Sequence, residues 1–137
     1  MERKCSILHF FNKIPEFPET YTEKNSIRFS ELLCPSLGKL KVTLQICYKI
    51  DFEWLMNQYR IQHVDSLPIT IVGGEESRFE EYIEENSYTQ ITYYSPNMER
   101  GIHHSKIGIY LYEDDSLRVA VSTANLYQDD WDTRNQA

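Results

Sequence analysis

Gly101-Ile102-His103-His104-Ser105-Lys106-Ile107-Gly108-Ile109-Tyr110-Leu111-Tyr112, then after a polar turn Leu117-Arg118-Val119-Ala120-Val121-Ser122-Thr123-Ala124-Asn125, reads as a β-hairpin with polar chemistry at its open end. Side chains alternate along a strand, so His104 and Lys106 project to one side and Ser105 to the other. With Asp114 and Asp115 as a two-residue tip, antiparallel pairing sets Glu113 opposite Ser116, Tyr112 opposite Leu117, Lys106 opposite Thr123 and His104 opposite Asn125. An imidazole, an ammonium and a carboxamide then converge, a donor set suited to a phosphate. Asp-Asp lacks the glycine that favours a tight primed turn, and a longer loop or a bulge would slide this register.

The same hairpin sets the fold class. In that register Gly108, Tyr110, Leu117, Val119 and Val121 share one face, and Ile107, Ile109, Leu111 and Ala120 the other. Two apolar faces predict central strands with layers above and below. Upstream, strands and helices alternate. Val42 to Tyr48 reads as a strand with Val42, Leu44, Ile46 and Tyr48 on one face, and Asp51 caps a helix whose inward stripe is Phe52, Leu55, Met56 and Tyr59. Leu67 to Val72 reads as a buried strand, Gly73-Gly74 as a turn, Glu75 to Asn86 as a helix with Phe79, Tyr82 and Ile83 inward, and Gln90 to Tyr94 as a strand before the Ser95-Pro96-Asn97 loop. Glu75 and Glu76 sit at the positive end of that helix, so the Gly-Gly turn is a turn and not an anion cradle. The alternation predicts an α/β sandwich.

Nearer the N-terminus the pattern is less regular. Ile7 to Phe11 suits a short strand, Pro15 and Pro18 interrupt, and Phe10, Phe11, Ile14 and Phe17 are expected to staple this lead-in onto the core. A helix is expected from Ser26 through Phe29, Leu32 and Leu33 to a stop at Pro35. Residues 1–25 thus form an irregular lead-in and 26–137 one domain.

Bulk properties narrow the function classes. The 137 residues are 41% hydrophobic and 26% charged, the makeup of a globular domain, with ten tyrosines as the one excess. A net charge of −7 argues against coating nucleic acid through broad electrostatics. Any phosphate contact must come from a few groups in a cleft. Cys5, Cys34 and Cys47 have no metal-type spacing to one another or to the histidines, so no structural zinc is expected and a reducing compartment fits best. No apolar run approaches the roughly 20 residues of a membrane span.

His-x-Lys by itself arises by chance in about one chain in five of this composition. A buried histidine beside a snorkelling lysine satisfies it equally well. The surrounding motifs decide. His103-His104-Ser105-Lys106, Ile107-Gly108-Ile109-Tyr110-Leu111-Tyr112-Glu113, Leu117-Arg118-Val119, Ser122-Thr123-Ala124-Asn125-Leu126 and Asp130-Trp131 follow in an order that resembles the first half of the tyrosyl-DNA phosphodiesterases. These belong to the phospholipase D superfamily, in which each half supplies one His-x-Lys…Asn motif. The resemblance reaches upstream through Leu33, Pro35, Leu37-Gly38, Tyr48, Asp51, Trp54-Leu55 and Gln58-Tyr59.

The resemblance implies one half of a phospholipase D-like α-β-α sandwich, with His104 as nucleophile and Lys106 and Asn125 as phosphate-binding groups. The implied reaction hydrolyses the bond between a DNA 3′ phosphate and a topoisomerase tyrosine through a covalent phosphohistidine, with no cofactor or metal, in the nucleus. The implied partner is a DNA 3′ end, single-stranded or nicked, that carries the tyrosyl adduct, and no membrane. His103, on the opposite face, is expected to pack or hydrogen bond beneath the site. In the family an aromatic residue stacks on DNA four positions before the nucleophile. Here Arg100 holds that position, and it can stack on a base or meet a phosphate. Ser105 replaces the usual threonine, and the spacing from His104 to Asn125 is one residue longer than in the family, the extra residue fitting the Glu113–Ser116 turn.

A second His-x-Lys is absent, since Phe10-Phe11 follow His9 and Val64-Asp65 follow His63. General acid–base catalysis is worth about 10² to 10⁴ in rate, so one half alone is expected to turn over slowly. The end at Ala137 leaves little to finish the layers of a half-domain, and a truncated half-domain is expected. Three roles follow: a fragment or half-site of the phosphodiesterase, a non-catalytic half-domain that binds DNA 3′ ends, or a nuclease completed by a second copy across a symmetric dimer.

Overall fold

The computed structural model describes residues 6–73, 79–96 and 99–134. Its centre is a five-stranded sheet built from β3 (Leu40–Cys47), β4 (Ile69–Gly73), β5 (Ile91–Tyr94), β6 (Lys106–Tyr112) and β7 (Leu117–Val121), in the spatial order β5-β4-β3-β6-β7. β3, β4 and β5 run parallel, and β6 and β7 complete the sheet antiparallel. Two crossovers, α2 (Phe52–Ile61) and α3 (Phe79–Glu85), join the parallel strands. A two-residue parallel pair, β1 (Phe11–Asn12) with β2 (Ser26–Ile27), ties the lead-in to the start of α1 (Phe29–Leu32), and α4 (Gln128–Asp132) follows the hairpin.

The helices form one layer. Asp51 Oδ1 accepts a hydrogen bond from Trp54 N at 3.0 Å and starts α2, whose Phe52, Leu55, Met56 and Tyr59 are all buried. Phe79 of α3 packs on Tyr93 of β5 at 4.8 Å between ring centroids, and Phe29 of α1 touches both Trp54 and Trp131, at 5.4 and 5.3 Å. Beneath them lies the sheet face of Thr43, Gln45, Cys47, Ile69, Ile71 and Tyr110. The buried polar groups on that face are satisfied: Thr43 Oγ1 and Gln45 Nε2 lie 2.6 and 2.9 Å from Tyr59 Oη. Burial without a nearby charge pushes the Tyr59 phenol up to about 12.

The α/β class is as expected, and several details differ. The tip of the hairpin has three residues, not two. Tyr112 N donates to Ser116 O and Asp115 N to Tyr112 O, each at 3.0 Å, with Asp115 in the left-handed region at φ 61°. Asp-Asp cannot form a tight primed turn cheaply, so the chain uses a turn followed by a left-handed residue. The register slides by one, pairing Leu111 with Leu117, Ile109 with Val119 and Ile107 with Val121. Arg118 and Ala120 thereby move to the helix-covered face with Tyr110 and Gly108, and Leu117, Val119 and Val121 join Ile107, Ile109 and Leu111 on the other.

That other face lacks a covering helix among the described residues, and β7 is an edge strand, not a central one. Its Leu117, Val119 and Val121 are 60%, 53% and 75% exposed. The β3 face that Val42, Leu44 and Ile46 share is only half-buried, while the alternate face with its polar Thr43 and Gln45 is buried. The helix expected from Ser26 is confined to Phe29–Leu32, because Ser26 and Ile27 pair with β1 and Glu31 Oε2 caps Arg28 N at 2.7 Å. In the lead-in, Ile14 is buried and Phe10 half-buried, but Phe11 and Phe17 stay about half exposed. The buried staple is instead Asn12, whose Nδ2 donates to Asp130 O at 2.8 Å. The turn after Gly73, the first turn of the helix expected from Glu75, and Asn97 fall outside the described residues.

Candidate phosphate-binding site

The site lies where β3 ends and β6 begins, at the edge formed by the C-terminal ends of the parallel strands, the usual place for a ligand in an open α/β sheet. Cys47, the last residue of β3, pairs with Lys106, the first of β6, and Tyr48 N extends the ladder one step by donating to Ser105 O at 3.1 Å. His104 therefore stands just past the ladder, exposed, with its ring against Tyr48 at 5.0 Å between centroids.

Alternation puts His104 and Lys106 together as the sequence predicts. Lys106 Nζ lies 3.3 Å from His104 Nδ1, 3.5 Å from Nε2 and 3.3 Å from the His104 carbonyl oxygen. An ammonium only donates, so the ring nitrogen it meets is an acceptor in that contact.

Asn125 arrives by a different route from the one expected. The last hairpin bond runs from Ser122 N to Lys106 O at 3.0 Å, so neither Lys106 with Thr123 nor His104 with Asn125 forms a cross-strand pair. The chain instead turns back to the loop between β3 and α2, where Leu126 N donates to Lys49 O at 3.1 Å and Asp51 N to Leu126 O at 2.8 Å. That bridge carries Asn125 to Cys47, whose Sγ donates to Lys49 O at 3.2 Å and faces Asn125 Oδ1 at 3.9 Å. Since Cys47 is the ladder partner of Lys106, a short path of named contacts joins the carboxamide to the ammonium.

Asp130 anchors the assembly. Its Oδ2 accepts from Asn125 N and Nδ2, both at 2.8 Å, and its Oδ1 accepts from Tyr127 Oη at 2.9 Å and Arg134 at 2.7 Å. Burial would raise the carboxyl pKa, but the two hydrogen bonds from Asn125, the one from Tyr127 and the Arg134 charge outweigh it and hold the pKa below the usual aspartate value. Burial pushes the Cys47 thiol up, so at neutral pH it remains an S–H donor.

The remaining predicted residues are less engaged. Arg100 is exposed, and Ser105 is half-buried. His103 is half-buried with its Nδ1 shielded from solvent and without a hydrogen-bond partner, so packing is the part of its expected role seen here. Cys47 and the carboxylate of Asp130 were not legible as site groups, because their contacts with Asn125 depend on the loop crossing. Among the described residues no group of three His, Cys, Asp or Glu side chains is placed to hold a metal ion, and no helix is long and apolar enough to cross a membrane.

Comparison with known proteins gives a family by sequence and a likeness of fold by structure. The sequence profile of the tyrosyl-DNA phosphodiesterases matches residues 9–137. Tyrosyl-DNA phosphodiesterase 1 of Drosophila melanogaster is 33% identical over 139 residues, covering 99% of this chain and 24% of that protein. A probable tyrosyl-DNA phosphodiesterase of Schizosaccharomyces pombe is 26% identical, covering 93% and 24%. The chain thus spans about a quarter of the length of the curated relatives it matches. In fold it is similar to the crystal structure of yeast tyrosyl-DNA phosphodiesterase, with a TM-score of 0.68 at 16% identity over 94% of this chain and 30% of that one. NucT from Helicobacter pylori is similar with a TM-score of 0.52 at 12% identity, over 70% and 65%. By the match of the family profile to nearly its whole length, this chain belongs to the tyrosyl-DNA phosphodiesterase family.

Proposed function

We propose that this chain supplies a half-site of a phosphodiesterase acting on DNA 3′ ends that carry a tyrosyl adduct, with the nucleus as its place of work. His104 is the nucleophile, and Lys106 and Asn125 hold the phosphate oxygens. The observation that carries this reading is the single cluster at the end of β3, in which an exposed imidazole stands 3.3 Å from an ammonium and a buried carboxylate pins the carboxamide.

The chemistry follows from those groups. A nitrogen of the His104 imidazole attacks phosphorus, a P–N bond forms, and the bond to the tyrosyl oxygen breaks with its electron pair leaving on that oxygen. Lys106 and Asn125 donate to the non-bridging oxygens, whose charge shifts as this happens. A phenol of pKa about 10 is a good leaving group, so this step asks little of a general acid. Water must then attack phosphorus, lose a proton and displace the imidazole. That step gains more from a second base, and this chain has no second His-x-Lys to supply one. Arg100, exposed beside the site in sequence, is suited to a base or a neighbouring phosphate, and Ser105 lies between the two site residues.

The test is release of tyrosine from a 3′-phosphotyrosyl oligonucleotide by the full chain, in chelator, beside His104→Ala. A half-site gives at most about one tyrosine per chain, and none in the variant. Multiple turnovers lost in the variant would mean that two copies complete the site. Release that survives in His104→Ala would exclude this histidine as nucleophile.

A further inference from the structure

Every polar atom of Asn125 has a partner. Its N–H and its Nδ2 donate to Asp130 Oδ2, both at 2.8 Å, its carbonyl accepts from Trp131 Nε1 at 2.9 Å, and its Oδ1 faces the Cys47 thiol at 3.9 Å. A carboxamide has two ends of nearly equal shape and opposite character, and a phosphate discriminates between them. It accepts from the –NH₂ and is repelled by the carbonyl oxygen. Which end faces a ligand is therefore a functional variable, and the neighbours of Asn125 set it.

An ionised carboxylate only accepts, so Asp130 can face the –NH₂ end and cannot face the carbonyl end. The Cys47 thiol on the other side gives its one S–H to Lys49 O at 3.2 Å, so the choice is made by Asp130. Nδ2 carries two hydrogens and Asp130 takes one. We infer that Asp130 is a positioning residue that fixes the carboxamide of Asn125 so that its second Nδ2–H is presented to the substrate's phosphodiester. Asp130 suits the task because its side chain is only 2% exposed and its other oxygen is covered by Tyr127 Oη and Arg134. Its negative charge is compensated within the protein, and it does not confront the phosphate. Asn12, which donates to the Asp130 carbonyl at 2.8 Å, ties the lead-in to the same device.

The inference rests on the phosphate role of Asn125 proposed above, and the experiment separates the two. Dissociation constants for a 3′-phosphotyrosyl oligonucleotide are measured for the full chain, Asn125→Ala, the isosteric Asp130→Asn, and the double variant. A hydrogen bond to a charged group is worth about 1.5–3 kcal/mol, so Asn125→Ala is expected to weaken binding by about 10- to 150-fold. Asp130→Asn should approach the same loss, and the double variant should bind no more weakly than Asn125→Ala alone, because both changes remove one donor. A merely structural aspartate would give losses that multiply. Multiplied losses, or wild-type binding by Asp130→Asn, would overturn the positioning role. An Asn125→Ala variant that binds like the wild type would sink the phosphate reading itself.

A measurement on the unaltered chain removes any dependence on how the variants fold. In a ¹H–¹⁵N spectrum the Asn125 side-chain amide is assigned by triple-resonance correlation to its own Cβ and Cα. Its two Nδ2 protons should exchange with solvent at different rates, and inorganic phosphate should shift the faster-exchanging one. Equal rates with joint movement would show a freely turning carboxamide and contradict the inference.

Discussion

Asn125 and Asp130 are five residues apart in the chain and bonded at 2.8 Å, yet what brings them to the end of β3 is the contact of Asn125 with Cys47, 78 positions away. That His104 and Lys106 lie together was legible from strand alternation, because two residues on one strand face share surroundings however the register falls, while their reading as a site needed the surrounding motifs. Asn125 was legible as a motif member but not by the pairing proposed for it, and Cys47 not at all, since no local pattern encodes the turn back to Lys49. At this scale the pH dependence has a definite sign. The Asp130 pKa is held below its ordinary value, so its contribution to stability is complete above the pKa of an unfolded aspartate and is lost as pH falls through the lowered folded value. Acid unfolding of the wild type should therefore be steeper below that ordinary value than acid unfolding of Asp130→Asn, and equal slopes would contradict the shift. Tyr59 makes a second residue-level prediction. Tyr59→Phe strands the hydroxyl of Thr43 and the amide of Gln45, both 1% exposed, and should cost about 1–3 kcal/mol in denaturant unfolding.

At the scale of the element, the hairpin shows what a turn decides. Its strands were predictable from β-branched and aromatic runs, but the faces were not, because a three-residue loop in place of two moved each β7 side chain to the opposite side. Asp115 bears the cost, with φ at 61°. Asp115→Gly relieves about 1 kcal/mol of left-handed strain and loses only an exposed, 3.8 Å contact with Lys41, so denaturant unfolding should show a net gain. A loss would mean that the turn is held by its side chains and not by its backbone. Gly108 tests the packing within β6. A Cβ added there would meet the Tyr110 hydroxyl and come within 2.8 Å of its Cζ, and that ring is 1% exposed with little room to move. Gly108→Ala is expected to destabilise the sheet by about 1–3 kcal/mol in denaturant unfolding, and a neutral effect would mean that the Tyr110 ring can move aside.

For the whole molecule, the α/β class was legible because alternating strands and helices leave few other architectures. The number of layers was not, since apolar residues on two strand faces describe what a sheet is suited to bury and not what buries it. Among the described residues α1 to α4 lie over one face, and Leu117, Val119 and Val121 line the edge of the other. The chain matches about a quarter of the relatives' length. With a net charge of −7, the DNA-end binding proposed above must come from a few groups such as Lys106 and not from the surface at large. The salt slope of binding should then be shallow, corresponding to one to three phosphate contacts, and a slope typical of six to ten would contradict a localised site.

The central claim is that His104 attacks phosphorus. It is tested most directly by incubating the full chain with a 3′-phosphotyrosyl oligonucleotide, quenching in alkali, where a phosphohistidine survives, and mapping the adduct by mass spectrometry. The account predicts one oligonucleotide joined to His104 through its 3′ phosphate, with free tyrosine released in equal amount and no adduct in His104→Ala. Tyrosine released without an adduct on His104, or an adduct on another residue, would contradict it.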